Sequence, residues 1–224
     1  MFFYIKDYTM HKVLWLGCLA VTLLFACDDN DVTGAGPPVE AVITLPELRG
    51  LDVSGKIKVV LTQGDPQSIT VRGQQNLIDI LSERVVDGVW QVGFTEDVRR
   101  MEDFTVFATL TDIDQVSLSG ATSLRTDGDI ATERLDLMAS GVAEIEVSGS
   151  VDRQVLNLSG DTRVRNFGLS SRETDLQSSG TSEVEITVTD RLDATVSGRA
   201  EVTYRGDPET VNTEVSGEGK IKRE

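Results

Sequence analysis

A Ser-Gly pair returns along this chain at an interval that neither a hairpin nor an amphipathic helix explains. It occurs as Ser119-Gly120, Ser140-Gly141, Ser159-Gly160, Ser179-Gly180, Ser197-Gly198 and Ser216-Gly217, with spacings of 21, 19, 20, 18 and 19 residues. An earlier pair, Ser54-Gly55, sits in the similar stretch LDVSGKIKVVLTQG. Four residues after every one of these glycines stands an aliphatic: Val59, Leu124, Ile145, Val164, Val184, Val202 and Ile221. Two residues after them the side chain is small at Thr122, Ala143, Thr162, Ser182, Ala200 and Gly219, with Ile57 the exception. Hairpin strands turn every ~8–12 residues. A period near 19 instead suits one coil of a parallel β-helix, built from short strands and the corners between them.

The residues between the pairs agree with that reading. Segments such as EIEV, EVEITV and AEVTY alternate apolar with polar, the period-2 mark of a half-buried strand. From Gln115 onward no segment shows a 3.6-residue apolar stripe. Glycine supplies the positive φ a corner needs, and serine beside it can bond the turn backbone. Six such coils, ~4.8 Å apart, predict a stack roughly 29 Å long whose inward aliphatics form columns. A twisted β-sandwich with Ser-Gly loops is the alternative. From about Ala41 to Leu110 the interval breaks down. There SITVRG, DGVWQVGF and FTVFATL read as strands and NLIDILSERV as a short helix-like turn, an irregular β region closing one end.

The first residues carry a different signal. Val13–Ala26 reads VLWLGCLAVTLLFA, preceded by His11 and Lys12. As a helix it would cover roughly 21 Å, short of the ~30 Å hydrocarbon core, so it suits a signal peptide rather than a membrane span. It ends in LFAC, which resembles the bacterial lipoprotein signal, with Cys27 as the lipidated residue; an ordinary secretory signal with a chance cysteine is the alternative. The polar, Gly/Pro-containing run CDDNDVTGAGPP that follows supplies a tether. The expected organisation is a signal peptide at 1–26, a flexible tether at 27–40 after lipidated Cys27, and one domain at 41–224.

Composition removes several chemistries. The single histidine, His11, and both cysteines, Cys18 and Cys27, lie within the first 27 residues. The domain therefore lacks the imidazole of a Ser-His-Asp triad, a cysteine nucleophile and the usual zinc ligands. There is no phosphate loop and no dinucleotide fingerprint, so no cofactor and no metal are expected. A formal net charge of −16 argues against nucleic acid as a partner. Carboxylates remain: Asp127, Asp129, Glu144, Glu146, Glu183 and Glu185 are candidates for acid and base work, although alternating glutamates also describe a solvated outer face. Of the few aromatics, Trp90 and Phe94, with Arg99 and Arg100 nearby, form the first place to look for a ligand, with core packing as the competing role.

The stretch LDVSGKIKVVLTQGD, the repeated SG with its aliphatic four residues on, and the closing SGRAEVTYRGDPETVNTEVSGEGKIKR resemble the GIN-domain family of auto-transporter adhesin heads. The resemblance runs from about Glu47 to Arg223. Where the family usually has SGAS, this chain has SGAT, SGVA, SGDT, SGTS, SGRA and SGEG, so the repeat acts as a building rule and not a recognition code. The resemblance implies an all-β, single-stranded right-handed parallel β-helix and export in Bacteroidetes-type bacteria, often as a lipoprotein. No catalytic residue carries over. The expected protein is a non-catalytic, lipid-anchored cell-envelope module at the outer membrane, on the cell surface or the periplasmic face. It would meet the membrane through its anchor and a surface glycan or protein as ligand. A carboxylate-dependent glycan-active enzyme and a purely structural envelope protein are the alternatives.

Overall fold

The structure is a computed structural model and describes residues 31–224. Residues 1–30, with the expected signal peptide and Cys27, lie outside the described residues. The architecture is all-β apart from one helix of four residues, Gln75–Ile78 (α1). In chain order the strands are β1 (Val32–Thr33), β2 (Pro38–Ile43), β3 (Gly50–Gly55), β4 (Lys58–Gln63) and β5 (Ser68–Gln74), then β6 (Val85–Val86), β7 (Val89–Val92), β8 (Val98–Arg100) and β9 (Thr105–Leu110). The repeats follow as β10 (Gln115–Thr126), β11 (Ile130–Glu146), β12 (Gly149–Arg205), β13 (Thr210–Gly217) and β14 (Lys220–Arg223).

The Ser-Gly interval becomes one strand spacing. Ser119 and Gly120 on β10 pair in parallel with Ser54 and Gly55 on one side and with Ser140 and Gly141 on the other. Ser140 and Gly141 pair with Ser159 and Gly160, and Ser197 and Gly198 with Ser216 and Gly217. Strand β12 is 57 residues long and, drawn straight, would reach roughly 190 Å. It returns over itself instead: a Cβ on Gly180 would lie 2.6 Å from the Gly160 carbonyl oxygen, and one on Gly198 2.5 Å from that of Gly180. Each of these glycines also bends its strand at positive φ, 94° at Gly160 and 107° at Gly180. Glycine is thus required twice over, by the dihedral and by the backbone passing beneath it.

Around each corner the alternation sorts the side chains. The aliphatics four residues after glycine are buried from Val59 to Val202, and the small residues two after it fill the space between them. Leu118, Ala139, Leu158, Ser178 and Val196, one residue before each serine, complete the inner wall. One hydrophobic cluster runs from Leu48 to Val202, with Ile221 packed against it. Full burial of each Val or Leu contributes about 1.5–3 kcal/mol. Some inward positions are polar and bond each other: Ser178 to Ser182 at 2.6 Å, and Ser171 to Thr174 at 2.6 Å and to the Thr187 carbonyl at 2.9 Å.

The parallel pattern does not extend to the front of the domain, and the main sheet is mixed. Strand β4 pairs in parallel with β9, but β5 lies antiparallel to β9 and β2 antiparallel to β5. Strand β6 is antiparallel to β7, which is parallel to β3. Only residues 64–67 join β4 to β5. A parallel return needs a crossover of a dozen residues or more, so this short link reverses the chain. Within the stretch expected as a tether, residues 31–40 are described, and parts of it are strands: β1 joins β8 in a separate two-stranded sheet, and β2, which starts at Pro38, forms the edge of the main sheet. The backbone hydrogen bonds available along β5 outweigh the Gly/Pro content that reads as flexible.

Candidate ligand-binding face

Strands β9, β4, β10 and β11 present their outward residues side by side, because the registers align them. One cross-strand row reads Glu40, Arg72, Thr105, Lys58, Ser123, Glu144 and Arg163. The next reads Val42, Thr70, Phe107, Val60, Arg125 and Glu146. Two cavities of about 440 and 380 Å3 lie over these rows and share Lys58, Ser123 and Glu144. The first reaches Lys56, Val142 and Arg163, and the second has Phe107, Val60 and Arg125 in its wall. Both fall in the range of small-ligand pockets, ~300–1,000 Å3. Thr122 lines the first, 5% exposed, with no hydrogen-bond partner for its hydroxyl.

Charges on this face are largely matched. Arg163 donates to Glu183 at 2.9 Å, Arg165 to Glu144 at 2.6 Å and Lys222 to Glu201 at 2.5 Å. Lys58 contacts Asp103 at 2.9 Å, and its hydrogen bond and charge hold that carboxyl below the usual carboxylate range. Hydrogen bonding from Lys222 likewise lowers Glu201. A second ladder runs on another face, where Arg153 meets Glu173 and Asp175, and Asp193 accepts from Asn212 at 2.7 Å and pairs with Arg191.

Glu144 and Glu146 lie on the two-cavity face, and Glu183 extends its ion-pair ladder; Asp127 and Asp129 flank Gly128, exposed, in the turn between β10 and β11. The Ser-Gly serines line a different strip. There Ser159, Ser179 and Ser197, with Asn157, Gln177 and Thr195, border a shallow cavity of about 310 Å3. Ser119 donates to the Val53 carbonyl at 3.2 Å and Ser159 to that of Ala139 at 3.4 Å, each reaching the preceding repeat.

The aromatic pair singled out from the sequence is part of the packing. Trp90 is fully buried and donates its indole N–H to the Ser82 carbonyl at 2.7 Å. Phe94 meets Phe104 edge to face at 5.1 Å between ring centres. Arg100 is paired to Thr33 through β1 and β8. The aromatic that does line a cavity, Phe107, has a signal in FTVFATL: Phe104, Val106 and Ala108 turn inward, which puts Thr105, Phe107 and Thr109 outward. Among the described residues no group of three or more His, Cys, Asp or Glu side chains is placed to hold a metal ion, and no helix is long and apolar enough to cross a membrane.

In-register repeats, one continuous apolar cluster and a charge-matched outer face define an all-β repeat protein. The chain belongs to the family described as "Putative auto-transporter adhesin, head GIN domain", whose model matches residues 47–208. The resemblance read from the repeat is thereby shown. Among solved structures, a putative adhesin from Bacteroides fragilis superposes with a TM-score of 0.72 at 17% identity, covering 86% of this chain and 100% of its own. A putative adhesin from Parabacteroides distasonis gives 0.54 at 20% identity, over 87% of this chain and 100% of that one. A putative lipid binding protein from the same species gives 0.52 at 19%, over 87% and 99%. At these identities the likeness is one of fold. No curated protein matches the chain.

Proposed function

We propose that this protein is a lipid-anchored, non-catalytic module of the cell envelope that works by adhesion, its repeats wound as a right-handed parallel β-helix of about 19-residue coils. The observation that carries the reading is the in-register pairing of the Ser-Gly corners, which aligns equivalent outward residues across successive repeats. A repeat surface of this kind suits an extended partner. The adhesin description of the family supports the same role and an extracellular or cell-surface position. Anchoring rests on Cys27 and the apolar run before it. The absence of histidine and cysteine after Cys27 supports a role without nucleophilic catalysis.

Protease shaving of intact cells carrying a C-terminal tag, with Cys27→Ala as control, tests the placement. Loss of the tag from intact cells is the expected result, and the alanine variant should leave the membrane fraction. Survival of the tag until the outer membrane is opened would overturn surface adhesion and leave a scaffold on the periplasmic side. One observation favours a second reading: Glu144 and Glu146 stand in one cavity wall with Lys58 and Arg125, an acid pair beside basic groups. A glycan-cleaving enzyme on this scaffold requires that Glu146→Gln abolish cleavage of a polysaccharide that the wild type degrades.

A further inference from the structure

We propose that the outward surface centred on Phe107 is a binding site for a neutral pyranose unit of an extended glycan, an inference that rests on the adhesion reading and names its ligand. Phe107 is half-buried on the outer face of β9, and among the described residues no aromatic ring or cation stacks on it. Val60 and Thr70 flank it on the neighbouring strands, in the same cross-strand row. Thr105 and Thr109 stand on either side of it along β9, both outward. The adjoining cavity of about 380 Å3 continues the surface to Arg125 and Glu146.

A pyranose ring has an apolar C–H face and a perimeter of hydroxyls. The exposed part of the Phe107 ring, with Val60 packed beside it at 7% exposure, offers apolar area for that face, and aromatic rings bring large contact area at low entropic cost. Each sugar hydroxyl both donates and accepts, so a matching rim needs both kinds of group. Arg125 and Lys58 donate, Glu146 accepts, and the threonine hydroxyls do either. The nearby charges balance, with Lys58 beside Asp103 and Arg165 on Glu144, so the rim gives no preference for a charged ligand. The chain's formal charge of −16 repels acidic polymers at longer range. An extended peptide is disfavoured because peptides add to a free strand edge, whereas β9 is bonded on both sides, to β4 and β5.

The test is binding of purified full-length protein in detergent to gluco-, galacto- and manno-configured hexasaccharides, with polygalacturonate as the acidic comparison, followed by titration calorimetry. At least one neutral hexasaccharide should bind. Phe107→Ala should weaken that binding by about tenfold or more, while Phe107→Trp retains it. Thr70→Lys, outward in the same row and away from the core, should weaken it as well, which guards against a folding defect in the alanine variant. Binding unchanged in both Phe107→Ala and Thr70→Lys, no binding of any neutral hexasaccharide, or a preference for polygalacturonate would overturn the proposal. Cell attachment to surfaces coated with the same sugars separates the two levels. Wild-type and Phe107→Ala cells attaching equally would remove this site and leave adhesion standing. Wild-type cells attaching no better than a deletion strain, while the purified protein still binds, would remove adhesion and leave the site.

Discussion

At Gly160 two demands coincide. Its φ is 94°, and an added Cβ would fall 2.4 Å from the Gly141 carbonyl oxygen. Gly128 has nearly the same φ, 92°, but open space around it. Gly128→Ala should therefore cost only the dihedral strain, about 1–3 kcal/mol. Gly160→Ala should cost more, because the repeat beneath it has to move; comparing the two melting temperatures isolates the stacking contribution, and equal losses would refute close stacking at the corner. A domain of this size loses about 2–4 °C per kcal/mol. Gln154 offers the opposite sign. It is fully buried and neither atom of its amide has a partner. Gln154→Met keeps the approximate shape and removes two unbonded polar atoms, so it should raise stability by about 1–3 kcal/mol, read from urea unfolding at constant m. Residue roles were legible where the repeat imposed them, as at Val164 and Val184. Phe107 and Trp90 were harder, since apolar content alone does not say which side of a strand faces water.

The strands owe their outer faces to laddered charges. Asp190 is lowered by hydrogen bonds from Thr189 and Arg172, Asp193 by those from Asn212 and Arg191, and Glu201 by Lys222. A depressed carboxylate contributes stability that is complete above its unfolded pKa and is lost as pH falls through the folded value. The melting temperature should thus hold from neutral pH down to about pH 5 and begin to fall as pH drops below about 4. A decline that starts above pH 6 would point to other groups. High salt should weaken these exposed pairs, each of which is worth little alone. In the core of the same elements, Leu156 is fully buried in β12, and Leu156→Ala should cost about 2–5 kcal/mol by chemical denaturation. Individual strands were readable from period-2 alternation. The partners of β2 and β5 were not, because their antiparallel registers join Ile43 to Ile69 and Thr70 to Phe107 with no repeat to announce them.

Over the whole molecule, each repeat contacts mainly the one before and the one after it, so the stack should tolerate the loss of a complete unit. Deleting residues 160–179 joins Ser159 directly to Gly180 and preserves the corner and its register. That variant should fold to a β-rich circular dichroism spectrum and melt at a lower temperature, as expected when stability is a sum of repeats and their interfaces. Deleting half as many residues would turn inward side chains to mismatched columns and should abolish the cooperative transition. If both deletions behave alike, the stack is not modular. The front region has no equivalent tolerance, since Trp90, Phe104 and Leu77 close the column from separate, non-repeating segments.

By itself the sequence determined the repeat, its corners and its inward columns. A period near 19 residues, a glycine at each bend and an alternating apolar pattern are local constraints, and a parallel register of similar units satisfies all of them at once. Only the tertiary structure decided the mixed pairing of the front, the pairing of β1 with β8 and of β2 with β5, and the assembly of Phe107, Thr70, Val60 and Arg125 on one surface. These depend on which distant backbones share hydrogen bonds. Residues 60, 70, 107 and 125 become neighbours only because four strands, joined by loops of different lengths, happen to share one row. Such an arrangement leaves no periodic trace along the chain.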